Sequence, residues 1–94
     1  MSYKAVWKSK SEGEYIYEAD GEKLAFMDLL LTDTTKVVIK HTEVDPDLKG
    51  QGIGKGLLQK VATFAREKNL KILPICPFAK NVMEKYPEEY QDLL

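Results

Sequence analysis

The chain has 94 residues, 44% of them hydrophobic and 31% charged, with a formal net charge of −1 at pH 7. A chain of this length is expected to form a single domain, 1–94, that buries only about two-thirds of the surface its unfolded form exposes. The absence of a basic excess argues against a nucleic-acid partner. No apolar stretch has signal-peptide or membrane-spanning length, because the longest, Leu24 to Leu31, is interrupted by Asp28. Cys76 is the single cysteine and His41 the single histidine, which precludes an internal disulfide and is too small a set for a structural zinc site. The expectation is a cytoplasmic protein without a metal.

In chain order, Lys4 to Lys8 reads as an edge strand and Ser9 to Gly13 as a loop. Glu14-Tyr15-Ile16-Tyr17-Glu18-Ala19-Asp20 alternates charge and bulk with period two, and Asp20-Gly21 is a two-residue hairpin signal. Leu24 to Thr32 is apolar almost throughout, which predicts a strand covered on both faces. Thr32-Asp33-Thr34 turns the chain into a further strand from Lys36 to Val44, completing an antiparallel meander. Asp45-Pro46-Asp47 breaks that strand. From about Gly52 to Lys68 the chain reads as a helix with Leu57, Leu58, Val61, Ala62 and Ala65 on one stripe. Asn69 reads as a left-handed cap and Lys71 to Cys76 as a strand, so that strand, helix and strand form a right-handed crossover. Pro77 opens a shorter helix that closes before Pro87, and Pro87 to Leu94 is expected to form a helical tail docked through Tyr90, Leu93 and Leu94.

Between the breaker and the long helix the chain reads Lys49-Gly50-Gln51-Gly52-Ile53-Gly54-Lys55-Gly56, with glycine at every second position. Glycines let a backbone approach a ligand closely, and the helix start adds unpaired N–H groups and a positive dipole end, so an anion such as a diphosphate suits this spot. The dinucleotide fingerprint fails, because Gly52-Ile53-Gly54 runs on to Leu57 and the next strand carries no acid. The nucleotide-triphosphate loop fails as well, because Gly54-Lys55 is followed by Gly56 and Lys49 stands where its first glycine belongs. What remains resembles the pyrophosphate loop of the GNAT superfamily of acyl-CoA-dependent N-acyltransferases: Arg or Gln, two residues, Gly, one residue, then Gly or Ala. Lys49, Gly52 and Gly54 occupy those places, and Lys49 substitutes a point charge for the usual planar or amide group. The stretch from Lys36 to Leu94 is similar to a very short branch of that superfamily.

The resemblance implies a minimal α/β fold with a mixed sheet, acetyl-CoA as acyl donor, and an amine acceptor, small molecule or protein. It also implies cofactor contacts from Lys49, Gly50, Gln51, Gly52, Ile53, Gly54 and Lys55, and pairing of the pantetheine with the backbone near Val44. Acyl transfer needs a neutral amine, so Glu43 or His41, two apart on one strand, are candidate bases. Cys76 ends the strand after the helix, where in this family the splayed strand ends admit the thioester, and is a candidate nucleophile for an acetyl relay. Each has a plainer alternative: a solvated glutamate, a hydrogen-bonded histidine, an inert buried cysteine. Asn81 and Tyr86 resemble the Asn and Tyr of larger members, whose tyrosine protonates the departing thiolate. Here their spacing is shorter and Tyr86 precedes Pro87, so a packing role is expected of it. A non-catalytic coenzyme A-binding module, or a small interaction domain retaining the fold, is the alternative function, and the chain is expected to be a monomer or weak homodimer.

Overall fold

The computed structural model describes residues 2–94. Five strands, β1 (Ser2–Trp7), β2 (Glu12–Ala19), β3 (Glu22–Thr32), β4 (Lys36–Val44) and β5 (Lys71–Pro74), form one sheet in the order β1-β2-β3-β4-β5. The first four pair antiparallel, and β5 joins β4 in parallel through the crossover helix α1 (Ile53–Glu67). Helix α2 (Pro77–Lys85), helix α3 (Pro87–Tyr90) and a closing 3-10 turn, Gln91–Leu93, complete the chain. The fold is thus the mixed α/β arrangement expected, with the boundaries moved by a residue or two.

Local chemistry explains the joints. Asp20 and Gly21 both have positive φ, 53° and 77°, as a two-residue hairpin between right-twisted strands requires. Asn69 is left-handed at φ 58° and ends α1, whose stripe Leu57, Leu58, Val61, Ala62 and Ala65 is fully buried. That stripe packs on the sheet face carrying Tyr17, Ala25, Met27, Leu29, Val37 and Ile39, and Ala79, Met83, Tyr90 and Leu93 extend the same core. Arg66 of α1 forks onto Asp92 through two 3.0 Å hydrogen bonds, fastening the tail. This pairing holds the Asp92 carboxyl below its ordinary range.

Three expectations need correction. β3 is not covered on both faces: Ala25, Met27 and Leu29 are buried, while Leu24, Phe26, Asp28 and Leu30 between them are half-buried, as for a strand with helices on one side. Leu94 is exposed, so of the three expected apolar anchors only Tyr90 and Leu93 are buried. β5 stops at Pro74 and does not reach Cys76. Pro74 has no N–H to donate, and the amides of Ile75 and Cys76 both converge on the Ile39 carbonyl, which ends the ladder.

Candidate active site

β4 and β5 are in register from Lys36↔Lys71 to Ile39↔Pro74 and then part. On the other side of β4 the register with β3 shifts, Leu29 facing Ile39 and Asp28 facing His41, so Lys40 is an extra residue in a β-bulge. The bulge decides which side chains face which way. Thr42 and Val44 stand opposite Met27 and Ala25 on the helix side, while His41 and Glu43 stand opposite Asp28 and Phe26 on the other face. A regular strand would have put His41 and Glu43 on the side of Ile39.

On the helix side, a cleft of about 510 Å³ opens between β4, the glycine loop and α2. Thr42, Val44 and Leu48 form one wall, the loop from Lys49 to Lys55 without Gln51 forms the floor, and Phe78, Val82, Lys85 and Tyr86 form the opposite wall. Three lysines, 49, 55 and 85, line it and no carboxylate does, in a chain whose net charge is −1. The Lys55 ammonium lies 3.9 Å from the Tyr86 ring centre and 3.9 Å from a Glu89 carboxylate oxygen. Tyr86 therefore lines the cleft, where a packing role alone was expected.

The loop backbone leaves fewer amides free than its composition suggests. The amides of Lys49 and Gln51 are used inside the loop, donating to the Pro46 and Leu48 carbonyls. Gly52 is the N-cap of α1 and has no side chain to fold back, so the first-turn amides of Ile53, Gly54 and Lys55 face outward uncapped. The four glycines also divide by cause. Gly50 and Gly52 have φ of 84° and 76° with open space around them. Gly54 and Gly56 lie in crowded places: a Cβ on Gly54 would stand 2.6 Å from the Phe78 ring, and one on Gly56 would strike the Tyr3 hydroxyl. Packing thus accounts for two of the four.

At the apex where the strands part, the Cys76 thiol hydrogen-bonds to the Thr42 hydroxyl at 3.3 Å. Cys76 is buried and immediately precedes α2 as its N-cap. On the opposite face, His41 Nε2 lies 3.3 Å from a Glu43 carboxylate oxygen, both side chains well exposed, and the Phe26 ring stands 5.9 Å from the imidazole. The two candidate bases are therefore together, and the candidate nucleophile is on the other side of β4 from them. Among the described residues no group of His, Cys, Asp or Glu is arranged to hold a metal ion, and no helix is long and apolar enough to cross a membrane.

Sequence reasoning did not select Thr42, Phe78, Val82 or Lys85 for the cleft. A signal existed for the last three: 78, 82 and 85 fall on one face of a helix by the i, i+4, i+7 rule, and that face is the cleft wall.

Comparison with known proteins supplies the context. A family model described as GCN5-related N-acetyl-transferase matches residues 14–93. A GCN5-like protein of Staphylococcus aureus, solved by NMR, is 36% identical over 98% of this chain and 85% of its own, with a TM-score of 0.71. The ribosomal-protein-alanine N-acetyltransferase of Brucella melitensis shares 20% identity over 83% of this chain at a TM-score of 0.70, and this chain spans 62% of it. A GNAT family acetyltransferase of Elizabethkingia anophelis, crystallised with acetyl-CoA bound, shares 23% identity over 84% of this chain at a TM-score of 0.65, and this chain spans 53% of it. No curated protein matches the chain significantly.

Proposed function

Since the chain belongs to the GCN5-related N-acetyltransferase family, we propose that it binds acetyl-CoA in the lysine-lined cleft and transfers the acetyl group to an amine. The observation that carries this reading is the cleft itself: an acid-free cavity with three ammonium groups, closed at one end by the uncapped first turn of α1. Such a site favours a compact polyanion, and a diphosphate meets both the backbone donors and the point charges. In this reading the diphosphate lies over Gly52, Ile53, Gly54 and Lys55, flanked by Lys49 and Lys55, with Gly50 and Gln51 shaping the loop. The pantetheine runs along β4 past Val44, where the strand has no β5 partner left, and the thioester ends at the gap between β4 and β5.

The amine then arrives from the opposite face, where Glu43 and His41 stand. Glu43 removes the ammonium proton directly or through a water, and His41, held against it, shares the load. The freed nitrogen lone pair attacks the thioester carbonyl carbon, the C–S bond breaks, and its electron pair leaves on sulfur. A second reading is favoured by one observation, the Cys76 thiol at the strand gap: the acetyl group passes first to Cys76 and then to the amine. Rapid mixing with acetyl-CoA and no acceptor, followed by intact-protein mass spectrometry, separates them. Direct attack gives no adduct that forms and decays as fast as turnover.

Calorimetric titration with acetyl-CoA tests the proposal as a whole. The wild type is expected to bind, and Lys55→Glu to bind at least about tenfold more weakly, since a hydrogen bond to a charged group is worth about 1.5–3 kcal/mol and the sign of the charge is reversed. A wild type without affinity for acetyl-CoA rejects the enzyme and the coenzyme-module readings together. Binding without release of coenzyme A to any primary amine favours the non-catalytic module.

A further inference from the structure

Acyl transfer to an amine leaves coenzyme A as a thiolate, and that sulfur needs a proton. Two hydroxyl-bearing side chains line the cleft, Thr42 and Tyr86. Tyr86 stands at the phosphate end: its ring is capped by the ammonium of Lys55, in the first turn of α1, and the residue sits just past the last helical residue of α2. Thr42 stands at the other end. It lies on β4 beyond the last β4–β5 pair, Ile39↔Pro74, and its Oγ1 is 3.3 Å from Cys76 Sγ across the gap between the parted strands.

We propose that the Thr42 hydroxyl is the acid that protonates the departing coenzyme A thiolate, with the Cys76 thiol behind it as the proton reserve. The inference rests on the acetyl-CoA reading above. A hydroxyl offers one proton and two lone pairs, so by accepting the Cys76 S–H bond Thr42 keeps its own proton free to donate into the cleft. As the amine nitrogen bonds to the carbonyl carbon, the C–S bond breaks and its electron pair goes to sulfur. The Thr42 proton moves to that sulfur and the Cys76 proton moves to Thr42 Oγ1. The surplus amine proton leaves through Glu43 to solvent, and the Cys76 thiolate recovers a proton from solvent once products depart. The roles divide across β4: base on the open face, acid in the cleft. Strand alternation puts Thr42 and Glu43 on opposite sides, and the bulge at Lys40 decides that Thr42 is the one on the helix side.

Titration of the thiolate absorbance of bound coenzyme A, with the spectrum of the free protein subtracted, tests this without any acceptor. If Thr42 donates to the sulfur it favours the thiolate, so the bound thiol should ionise about one pH unit or more lower in the wild type than in Thr42→Val. Thr42→Ser, which keeps the hydroxyl, should follow the wild type. Thr42→Val is near-isosteric, and its affinity for the desulfo analogue of coenzyme A reports whether the cleft is intact. A role in packing alone would change that affinity and leave the midpoint unmoved. Equal midpoints in wild type and Thr42→Val overturn the proposal while leaving the coenzyme site in place. A wild type that binds no coenzyme A overturns the site reading and the proposal with it.

Discussion

Gly52→Ala separates what the loop backbone needs from what packing needs. At φ 76° the residue is left-handed, and a Cβ there meets nothing within 4 Å, so the cost is purely conformational. Placing an L-residue in that region costs about 1–2 kcal/mol. Replacing glycine also restricts the unfolded chain, which returns about 0.4–1 kcal/mol. The net loss is about 1 kcal/mol, or about 4–8 °C in melting temperature for a domain of this size. Thermal unfolding followed by circular dichroism reads this directly. D-alanine at the same position, introduced by chemical ligation, fits the positive φ and keeps the unfolded-state gain, so it should melt at or above the wild type. Acetyl-CoA at a hundredfold excess over its dissociation constant should raise the wild-type midpoint by about 10–20 °C, from about 2.7 kcal/mol of linkage. In Gly52→Ala this rise should shrink, because the methyl stands beside the amides proposed to meet the diphosphate. A Gly52→Ala protein melting with the wild type and responding fully to acetyl-CoA would refute the left-handed cap and the tight approach of ligand to loop. Gly54→Glu is a poorer probe, since its Cβ would already press on Phe78.

Burial, reinforced by the Glu89 carboxylate, pushes the Tyr90 hydroxyl up to about 12. An unfolded tyrosine ionises near pH 10, so this contribution to stability is complete below about pH 10 and is lost as pH rises through about 12. Denaturant unfolding between pH 9 and 12 should show a steeper alkaline decline in the wild type than in Tyr90→Phe. Glu43→Gln should lower turnover on a primary amine by about two to four powers of ten with acetyl-CoA affinity little changed; a larger effect of His41→Asn would transfer the role of base to the imidazole. Deletion of Lys40 removes the bulge and leaves every other β3–β4 pairing and facing as it is. That variant should fold and, with Thr42 and Val44 still on the helix side, keep its acetyl-CoA-induced melting shift; loss of the shift would show that the cleft depends on the bulge as well as on Pro74.

The architecture was legible because the periods are clean and the punctuation is strong. Glu14 to Ala19 alternates, the stripe from Leu57 to Ala65 has helical spacing, and Asp20-Gly21, Asn69, Pro77 and Pro87 each fix a joint through their own backbone chemistry. The family was legible in the loop for the same reason, since its spacing fits one phosphate pattern and fails two others, and the family model matches residues 14–93. Glycine number was a poorer guide than glycine spacing. Gly54 and Gly56 yield room to Phe78 and Tyr3, which are brought there from distant parts of the chain. The reach of β3 was misread because a continuous apolar run does not say whether a second layer exists to cover it. Phe26 and Leu30 lie on a face without helices, outside the helix-side core.

The face carrying His41 and Glu43, the proposed acceptor side, resisted the sequence because no local pattern encodes it. Glu43 and His41 are two apart on β4, but their surroundings are Phe26 and Asp28 of β3, and only the register of two strands brings those together. That register depends on one unpaired residue, Lys40, which carries no turn signal and sits in a run that reads as regular strand. Were Lys40 paired regularly, His41 and Glu43 would turn to the helix-side core and Thr42 to the open face. The β4–β5 gap has a similarly small origin: Pro74 cannot donate, the next two amides share one carbonyl, and the strands separate just where Thr42 and Cys76 meet. A bulge on one side of β4 and a proline on the other thus let a 94-residue chain put an acid-free cleft behind one strand and a carboxylate–imidazole pair in front of it. In the proposed reaction, thioester and amine meet across the width of that one strand.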